Sequence, residues 1–373
     1  MTSNTDFCGN PIYNSTANGT EFTMGAIGQA IHDADEWRAI QSHFFAWAVA
    51  GVFAFAAIFL SIYLIFQHFR HYHKPQHQRH ITRILCMVPV YSLTSWLTFR
   101  YFRYVVYFEF VRGLFESFVI FEFFHLLLKY LGESEEEQKR VLKNKAARKL
   151  PYPCCLFTCN PAGPHFINDC KIIVMQYAII RQVTTILGIV MQSIGIYCPE
   201  SLSYRHGRLY LTLLNVGSTA VAMYGMVLLY LTVRKDIAEY KPITKFLSVK
   251  FVLFMTFWQT LILAILSHEG FIPKSRYWSP DDVTVGLQSF LICVEMFIAA
   301  MWHSRVECFG YQDFVNEHHK HNTSILESMK DAFDPSGTLK EWASGVLHLF
   351  RRCFGRAAAH HNYDDEAMVP LHG

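Results

Sequence analysis

Residues 43–66 read HFFAWAVAGVFAFAAIFLSIYLIF, a run without Lys, Arg, Asp or Glu. A helix needs about 20 mostly apolar residues to cross the hydrocarbon core of a bilayer, so this run is long enough to span it. Arg38 and Arg70 bracket the run. It begins too far from the start, with too few basic residues before it, for an ordinary cleaved signal peptide. The run therefore predicts a membrane helix.

Six further apolar stretches follow, at roughly residues 84–99, 108–131, 172–197, 209–233, 246–266 and 283–303. Together with the first, they predict an all-α membrane protein, a bundle of seven transmembrane helices. The predicted membrane domain covers residues 43–303, between an extracellular arm (1–42) and a cytoplasmic tail (304–373). A long loop at 132–171 is first acidic, then basic, then rich in Cys.

The composition of the 373 residues agrees with a membrane protein. Charged residues make up only 17% of the chain, against roughly 25% in an average soluble protein. Hydrophobic residues reach 52%, and the formal net charge is +3. These values exclude a disordered chain, a disulfide-stapled mini-protein and a DNA-binding domain, so we expect no nucleic-acid partner.

Basic residues are unevenly divided across the predicted membrane. With the amino terminus outside, 21 of the 33 Lys and Arg fall in cytoplasmic segments and 7 in outer segments. The positive-inside rule therefore predicts an outer amino terminus and a cytoplasmic carboxyl terminus. Two glycosylation sequons, at Asn14 and Asn18, lie in the predicted outer arm and agree with this orientation.

The third predicted span is unusually rich in ionisable residues, which are costly inside a membrane and suggest function. At helical spacing they form two faces, one with Glu109, Arg112 and Glu116, the other with Glu122, His125 and Lys129. One interpretation is an internal ladder of ion pairs that makes a polar helix tolerable in a bundle. The other is the lining of a path for a polar or amphipathic solute. Glu116, Glu122 and His125 lie too deep to reach the interface easily and are the better candidates.

Arg181 in the fourth span cannot lose its proton at mid-membrane, so it requires a carboxylate partner or an anionic ligand. Glu295 in the seventh span is the natural partner within the protein, and Gln288 lies on the same face seven residues before it. A buried ion pair that clamps two helices is one interpretation. Contact between Arg181 and the anionic end of a solute is the other, and the two are compatible if the pair opens.

The sixth span contributes Lys250 and Gln259. Lys250 lies near the cytoplasmic end and can extend its ammonium to the interface. Gln259 can form an interhelical hydrogen bond, a common structural use of amides in membrane bundles.

The loop after the third span ends in PYPCCLFTC, with Cys154, Cys155 and Cys159 beside basic and apolar residues. This context favours reversible S-acylation of these thiols, with reduced buried cysteines as the alternative. Adjacent Cys154 and Cys155 chelate zinc poorly, even with His165 and Cys170 nearby, so we expect no metal. The five His between 68 and 80 are interpreted as a solvated, phosphate-facing loop rather than a metal cluster.

The tail carries a second membrane signal. Trp342, Val346, Leu347 and Phe350 form an apolar stripe, which predicts an amphipathic helix at 338–352 on the inner leaflet.

Several stretches resemble the organic solute transporter alpha-subunit family, in particular its transmembrane protein 184 branch. They are ILCMVPVYSLTSWL (84–97), FESFVIFEF (115–123), YLGESE (130–135), PYPCC (151–155), CKIIVMQYAIIRQVTTI (170–186), KPITKFLSVKFVLFMTFWQ (241–259) and GLQSFLICVEMFIAAMWH (286–303). The resemblance implies a seven-helix membrane protein that moves bile-salt-like or steroid-conjugate anions with a single-span beta subunit. The motifs carry over six polar positions: Glu116, Arg181, Lys250, Gln259, Gln288 and Glu295.

The sequence therefore predicts a passive transporter of amphipathic organic anions in the plasma or endosomal membrane. No phosphate-binding loop of the form G-x-x-x-x-G-K-[ST] is present, so ATP-driven transport by this chain is not expected. We expect neither an enzyme nor a cofactor, and partners limited to membrane lipids, the solute, and a beta-type subunit or a second copy. The alternative is a seven-helix receptor-like or trafficking scaffold protein.

Overall fold

The first apolar run lies in helix α1 (Ala26–Arg70) of the computed structural model. The structure describes residues 26–101, 104–145, 148–149, 158–159, 163, 166–194, 207–268, 280–305, 309–311, 324–334, 336, 343 and 347. The helices after α1 are α2 (Pro75–Leu85), α3 (Met87–Arg100), α4 (Val105–Leu131), α5 (Glu135–Lys143), α6 (Phe166–Ser193), α7 (Gly207–Val233), α8 (Pro242–His268), α9 (Pro280–His303) and α10 (Ile325–Phe333). Strands β1 (Arg148–Lys149) and β2 (Thr158–Cys159) form a two-residue antiparallel pair. The protein is thus nearly all-helical, as predicted.

Four of these helices contain segments long and apolar enough to cross a membrane. The segments are His43–Arg70, Phe166–Met191, Leu209–Val233 and Val283–His303. They correspond to the first, fourth, fifth and seventh predicted spans, so the chain is a multi-pass membrane protein.

The second predicted span is not one helix. The chain forms α2 and α3 on either side of Cys86, and α3 has only 14 residues. Pro89 in the first turn of α3 has no N–H to donate to the carbonyl four residues earlier, which weakens the helix at this junction. The expectation of a single helix over 84–99 is therefore wrong.

The His-rich segment before this junction also differs from the expected solvated loop. α1 continues to Arg70 and α2 begins at Pro75, so only a short connection separates the helices. His68 and His77 are buried, and the His68 ring hydrogen-bonds to the Phe309 carbonyl at 2.8 Å. No group of three or more His, Cys, Asp or Glu in the described part of the chain is arranged to hold a metal ion.

The helices pack in two connected groups. α1, α3 and α9 contact one another, and α8 joins them through α9. α6 packs along α7 and also against α4, which in turn contacts α2 and α3. α4 therefore connects the two groups, and its charged faces are placed where helices meet.

The outer surface of α1 is strongly apolar. Its large exposed side chains are Phe44, Phe45, Val52, Phe55, Phe59, Ile62, Tyr63 and Phe66. A soluble monomer rarely exposes so continuous an apolar surface, whereas lipid chains cover it at no cost. Small residues of the same helix, such as Ala50, Ala54 and Ala57, are buried and face α3 and α9.

The close contact between α6 and α7 depends on Gly225. A methyl group at this position would come within 2.5 Å of Cγ2 of Ile173 on α6. We therefore expect Gly225→Ala to destabilise the protein by about 1–3 kcal/mol, the usual cost of overpacking. Thermal unfolding in detergent micelles measures the change.

Gly217 on the same helix is the matched control, because no atom lies within 4 Å of a methyl group added there. Gly217→Ala should leave the unfolding temperature unchanged or raise it slightly, since Ala favours helix over Gly by up to about 1 kcal/mol. Equal destabilisation by both substitutions would contradict the packing described for α6 and α7.

Candidate functional site

Arg181 on α6 meets Glu116 on α4 where the two helices pack. Its Nη2 atom lies 3.7 Å from Oε2 of Glu116, and both side chains are half-buried. The helices place them face to face because Gln182, the next residue on α6, donates a 2.7 Å hydrogen bond to Ser117 Oγ of α4. One ion pair and one hydrogen bond therefore join α4 to α6 at this point.

The guanidinium of Arg181 is not saturated by this one ion pair. Its Nε atom is buried without a hydrogen-bond partner among the described residues. Gly113, one turn before Glu116, makes room for it, since a methyl group there would lie 2.9 Å from Nε. A guanidinium carries five N–H donors, so Arg181 retains donors for a second anion beside Glu116.

Lys250 on α8 belongs to the same neighbourhood, since it is half-buried and lies within electrostatic range of Glu116. Glu109 of α4 also lies within electrostatic range of Arg181, so two cations and two carboxylates share this region. The donors of Arg181 that Glu116 does not use, rather than an excess of positive charge, therefore favour an anionic ligand.

An apolar cavity of about 200 Å³ lies between α4, α7 and α8, with Phe123, Met226 and Phe246 in its lining. Phe123 follows Glu116 by seven residues on the same face of α4, about 10 Å along the helix axis. Phe246 precedes Lys250 by one turn on the same face of α8. The cavity thus lies about two turns along α4 from Glu116 and one turn along α8 from Lys250.

Glu295 does not pair with Arg181, as the sequence suggested, but with Gln259. The Gln259 amide donates to Oε1 of Glu295 across the contact of α8 and α9. Glu295 is buried, and its Oε2 atom has no partner among the described residues. The expected Arg181–Glu295 pair is therefore wrong, whereas the interhelical bond predicted for Gln259 is confirmed. Gln288 is half-buried on α9.

Glu122 and His125 form a third cluster, with two residues of α2. Glu122 is only 1% exposed; its Oε1 accepts a 3.0 Å hydrogen bond from Arg83, and its Oε2 lies 2.5 Å from Nδ1 of His80. The His125 ring stacks on His80 and bonds to the Phe121 carbonyl through Nδ1. The eight predicted polar residues are thus divided among separate helix contacts rather than gathered in one site.

His80 and Arg83 were missed by sequence reasoning, which took the start of this segment for a solvated loop. Ile81, Ile84 and Leu85 follow one another at helical spacing and are all buried. That pattern, together with Pro75 at the first helical position, was the available signal for a packed helix.

His77 on the same helix gives the protein a pH-dependent stability. Burial is the main cause that lowers the pKa of His77, and the nearby charges of Lys74 and His80 lower this pKa further. The hydrogen bond with the Lys129 carbonyl and the negative charge of Glu133 act in the opposite direction but do not outweigh burial. The folded state therefore favours the neutral ring, whereas the unfolded chain takes up a proton below about pH 6.5. The stability that His77 contributes is complete above that pH and is lost as the pH falls toward the folded-state pKa.

We expect the unfolding temperature to fall between pH 7.5 and 5.5, and His77→Gln to reduce that fall. The Gln amide can still donate to the Lys129 carbonyl, which lies 3.2 Å from Nε2 of His77, but it does not titrate. Part of the fall should remain, because burial also lowers the pKa of His80. Identical pH profiles for the two proteins would show that His77 does not contribute to the pH dependence of stability.

Several predicted modification sites lie outside the described residues. They are Asn14, Asn18, Cys154 and Cys155. The predicted tail helix at 338–352 is described only at residues 343 and 347. Cys159 is described, in β2, where it pairs with Arg148 of β1.

Comparison with known proteins gives one family. A family model described as organic solute transporter Ostalpha matches residues 46–314. A transmembrane protein 184 homolog of Dictyostelium discoideum is 32% identical over 277 residues, covering 74% of this chain and 54% of the relative. The chain thus spans about half the length of that curated relative. No solved structure matches.

Proposed function

The chain belongs to the organic solute transporter Ostalpha family, and from this premise we propose that it is a passive transmembrane transporter of amphipathic organic anions. The family points to organic solute transport rather than to an enzymatic reaction. We infer bile-salt-like or steroid-conjugate anions as the solutes, and a chain that works without a cofactor.

One observation carries the proposal. The half-buried Arg181 and Lys250 lie near the carboxylate of Glu116, and an apolar cavity lies about two turns along α4 from that carboxylate. A steroid sulfate or bile salt has the matching form, an anionic group on a rigid apolar body. Its anion would bind Arg181 through the donors that Glu116 leaves unused, with the apolar body against Phe123 and Phe246.

In this mechanism, Glu116 holds Arg181 in place while the anion of the solute occupies the remaining donors of the guanidinium. Neither the guanidinium nor the Glu116 carboxylate is then left as an unpaired charge in the membrane. Glu122, His125, Gln259, Gln288 and Glu295 complete the proposed polar lining, at neighbouring helix contacts. Among the residues that the structure describes, Oε2 of Glu295 has no partner and is available for this role.

We propose that α1, α3 with the last residues of α2, α4, α6, α7, α8 and α9 form seven membrane crossings, with the amino terminus outside and the carboxyl terminus cytoplasmic. The 21-to-7 division of Lys and Arg supports this orientation. The charges of α4 are compatible with a crossing because Glu116 and Glu122 have partners on neighbouring helices.

The remaining features belong to the same proposal. A single-span beta-type subunit or a second copy of this chain would complete the transporter in the plasma or endosomal membrane. Cys154, Cys155 and Cys159 would be acylated at the inner face, and Asn14 and Asn18 glycosylated outside.

The decisive experiment is uptake of radiolabelled steroid sulfate into vesicles that contain the purified protein, alone and with a candidate single-span subunit. We expect saturable, ATP-independent uptake that equilibrates the solute across the membrane. Vesicles without protein provide the background. If the folded, correctly inserted protein moves no steroid sulfate or bile salt in either preparation, the receptor-like or scaffold alternative replaces transport.

A further inference from the structure

Helix α10 (Ile325–Phe333) has three distinct sides. Ser328, Asp331 and Ala332 face the protein, and Ser328 and Ala332 are fully buried. Glu327 and Lys330 are exposed on a polar side. Between these, at helical spacing, runs a third side that is apolar and exposed: Ile325, Leu326, Met329 and Phe333.

The side that faces the protein is held by polar contacts as well as by the burial of Ala332 in the hydrophobic core. Arg83 of α2 donates from Nε to the Ala332 carbonyl and from Nη2 to the Asp334 carbonyl, both at 2.7 Å. Tyr72 and Arg79 donate to the Asp331 carboxylate at 2.7 and 2.8 Å. These bonds fix the rotation of α10 about its own axis, so the direction of its apolar side is fixed as well.

This arrangement is the reverse of that of an ordinary helix packed on a soluble protein, which buries its apolar side. The apolar side of α10, which we call the outer stripe, is Ile325, Leu326, Met329 and Phe333. All four side chains are more than 40% exposed. So much apolar surface on nine residues requires an environment other than water.

The position of α10 indicates which environment that is. The Phe333 ring contacts the Phe69 ring near the end of α1, with centroids 5.9 Å apart. One turn toward the membrane, α1 exposes Phe66, and the exposed apolar surface continues through Tyr63 and Ile62 to Phe59. The outer stripe therefore continues the surface of a membrane-spanning helix at the level where that helix ends.

We propose that α10 is an interfacial membrane helix whose outer stripe lies among the acyl chains and headgroups of the adjacent leaflet. A helix with one apolar side, one polar side and a position at a membrane boundary has the properties of such helices. Arg79 and Arg83 hold it to α2, and Glu327 and Lys330 remain in water. The predicted interfacial helix at 338–352 is a different segment, farther along the tail.

The inference is tested with the full chain in phospholipid vesicles. An environment-sensitive fluorescent amino acid is incorporated at Met329, on the outer stripe, and in a second variant at Lys330, on the polar side. Phospholipids with brominated acyl chains quench only fluorophores that reach the hydrocarbon. We expect most of the emission to be lost at position 329 and most to be retained at position 330.

Three results would overturn the proposal. Equal quenching at both positions would mean that α10 lies in the membrane without the fixed rotation. Water-like emission at both would place the outer stripe in solvent. Blue-shifted emission at 329 without quenching would show that another protein, or a second copy, covers the stripe.

A measurement on the unmodified sequence guards against disturbance by the fluorophore. Vesicles are prepared with a phosphatidylcholine that carries a photoactivatable group on its acyl chain, and the irradiated protein is analysed by mass spectrometry. Lipid adducts should occur on Leu326, Met329 or Phe333 and be absent from Glu327 and Lys330. Neither measurement requires solute transport, so their outcome is independent of the proposed function.

Discussion

Arg83→Ala is expected to destabilise the protein by about 3–5 kcal/mol, the usual cost of removing one partner from a buried ion pair. The reason is Glu122, which is 1% exposed and would lose its guanidinium partner. The same substitution removes the two donors that hold the end of α10. Thermal unfolding in detergent micelles measures the loss, and limited proteolysis of the tail reports whether α10 is released.

Arg79→Ala is the matched control on the same helix. Its ion pair with Asp331 is 2.8 Å long, close to the 3.0 Å of the Arg83–Glu122 pair, but the two side chains are 34% and 40% exposed. Exposed pairs contribute about 0–1 kcal/mol because water and salt screen them. Arg79→Ala also removes one contact between α2 and α10. If it costs little stability, the larger loss expected for Arg83→Ala comes from the buried Glu122 and not from the weakened contact with α10.

A double substitution distinguishes loss of a partner from loss of the side chain itself. Arg83→Met combined with Glu122→Met removes both charges and keeps the volume, so stability should recover most of what Arg83→Ala loses. If the double variant is as unstable as Arg83→Ala, the uncompensated carboxylate is not the cause. An Arg83→Ala protein as stable as the Arg79→Ala protein would contradict the cluster directly.

The sequence predicted what depends on long, regular patterns. The run at 43–66 and the membrane spans in α6, α7 and α9 follow from apolar length alone, and the structure has helices at these positions. The break at Cys86 was not predicted, because hydropathy averages over a window and does not register a missing hydrogen bond at Pro89. The short helix α10 was not predicted for a related reason, since nine residues give only two and a half turns of periodicity.

The pairing of charges was harder to predict than their identity. The cost of burial correctly marked Arg181, Glu116, Glu122 and Glu295 as residues that need partners. Their partners depend on which helices touch, and α6 packs against α4 rather than against α9. Since one sequence gives the faces of each helix but not the neighbours of each face, Arg181 was assigned to Glu295 instead of Glu116.

Arg181→Gln is expected to reduce uptake of steroid sulfate roughly ten- to hundredfold at low solute concentration. A hydrogen bond to a charged group contributes about 1.5–3 kcal/mol, and each 1.4 kcal/mol is a factor of ten in affinity. The substitution also leaves Glu116 without its ion-pair partner, so part of the loss could come from a less stable protein. Glu116→Gln combined with Arg181→Gln removes that difficulty, because both charges disappear together.

The double variant should therefore be as stable as the unsubstituted protein but still defective in uptake, which separates binding of the anion from folding. Lys171→Gln is the control for charge alone, since it removes a cation from the same helix about 15 Å from Arg181; its uptake should be unchanged. A double variant that reaches the membrane and transports normally would show that Arg181 and Glu116 only clamp α6 to α4. Loss of uptake in the double variant, with normal uptake after Lys171→Gln, would instead identify the guanidinium as the group that meets the anion. Glu116 would then be the carboxylate that holds the guanidinium in place.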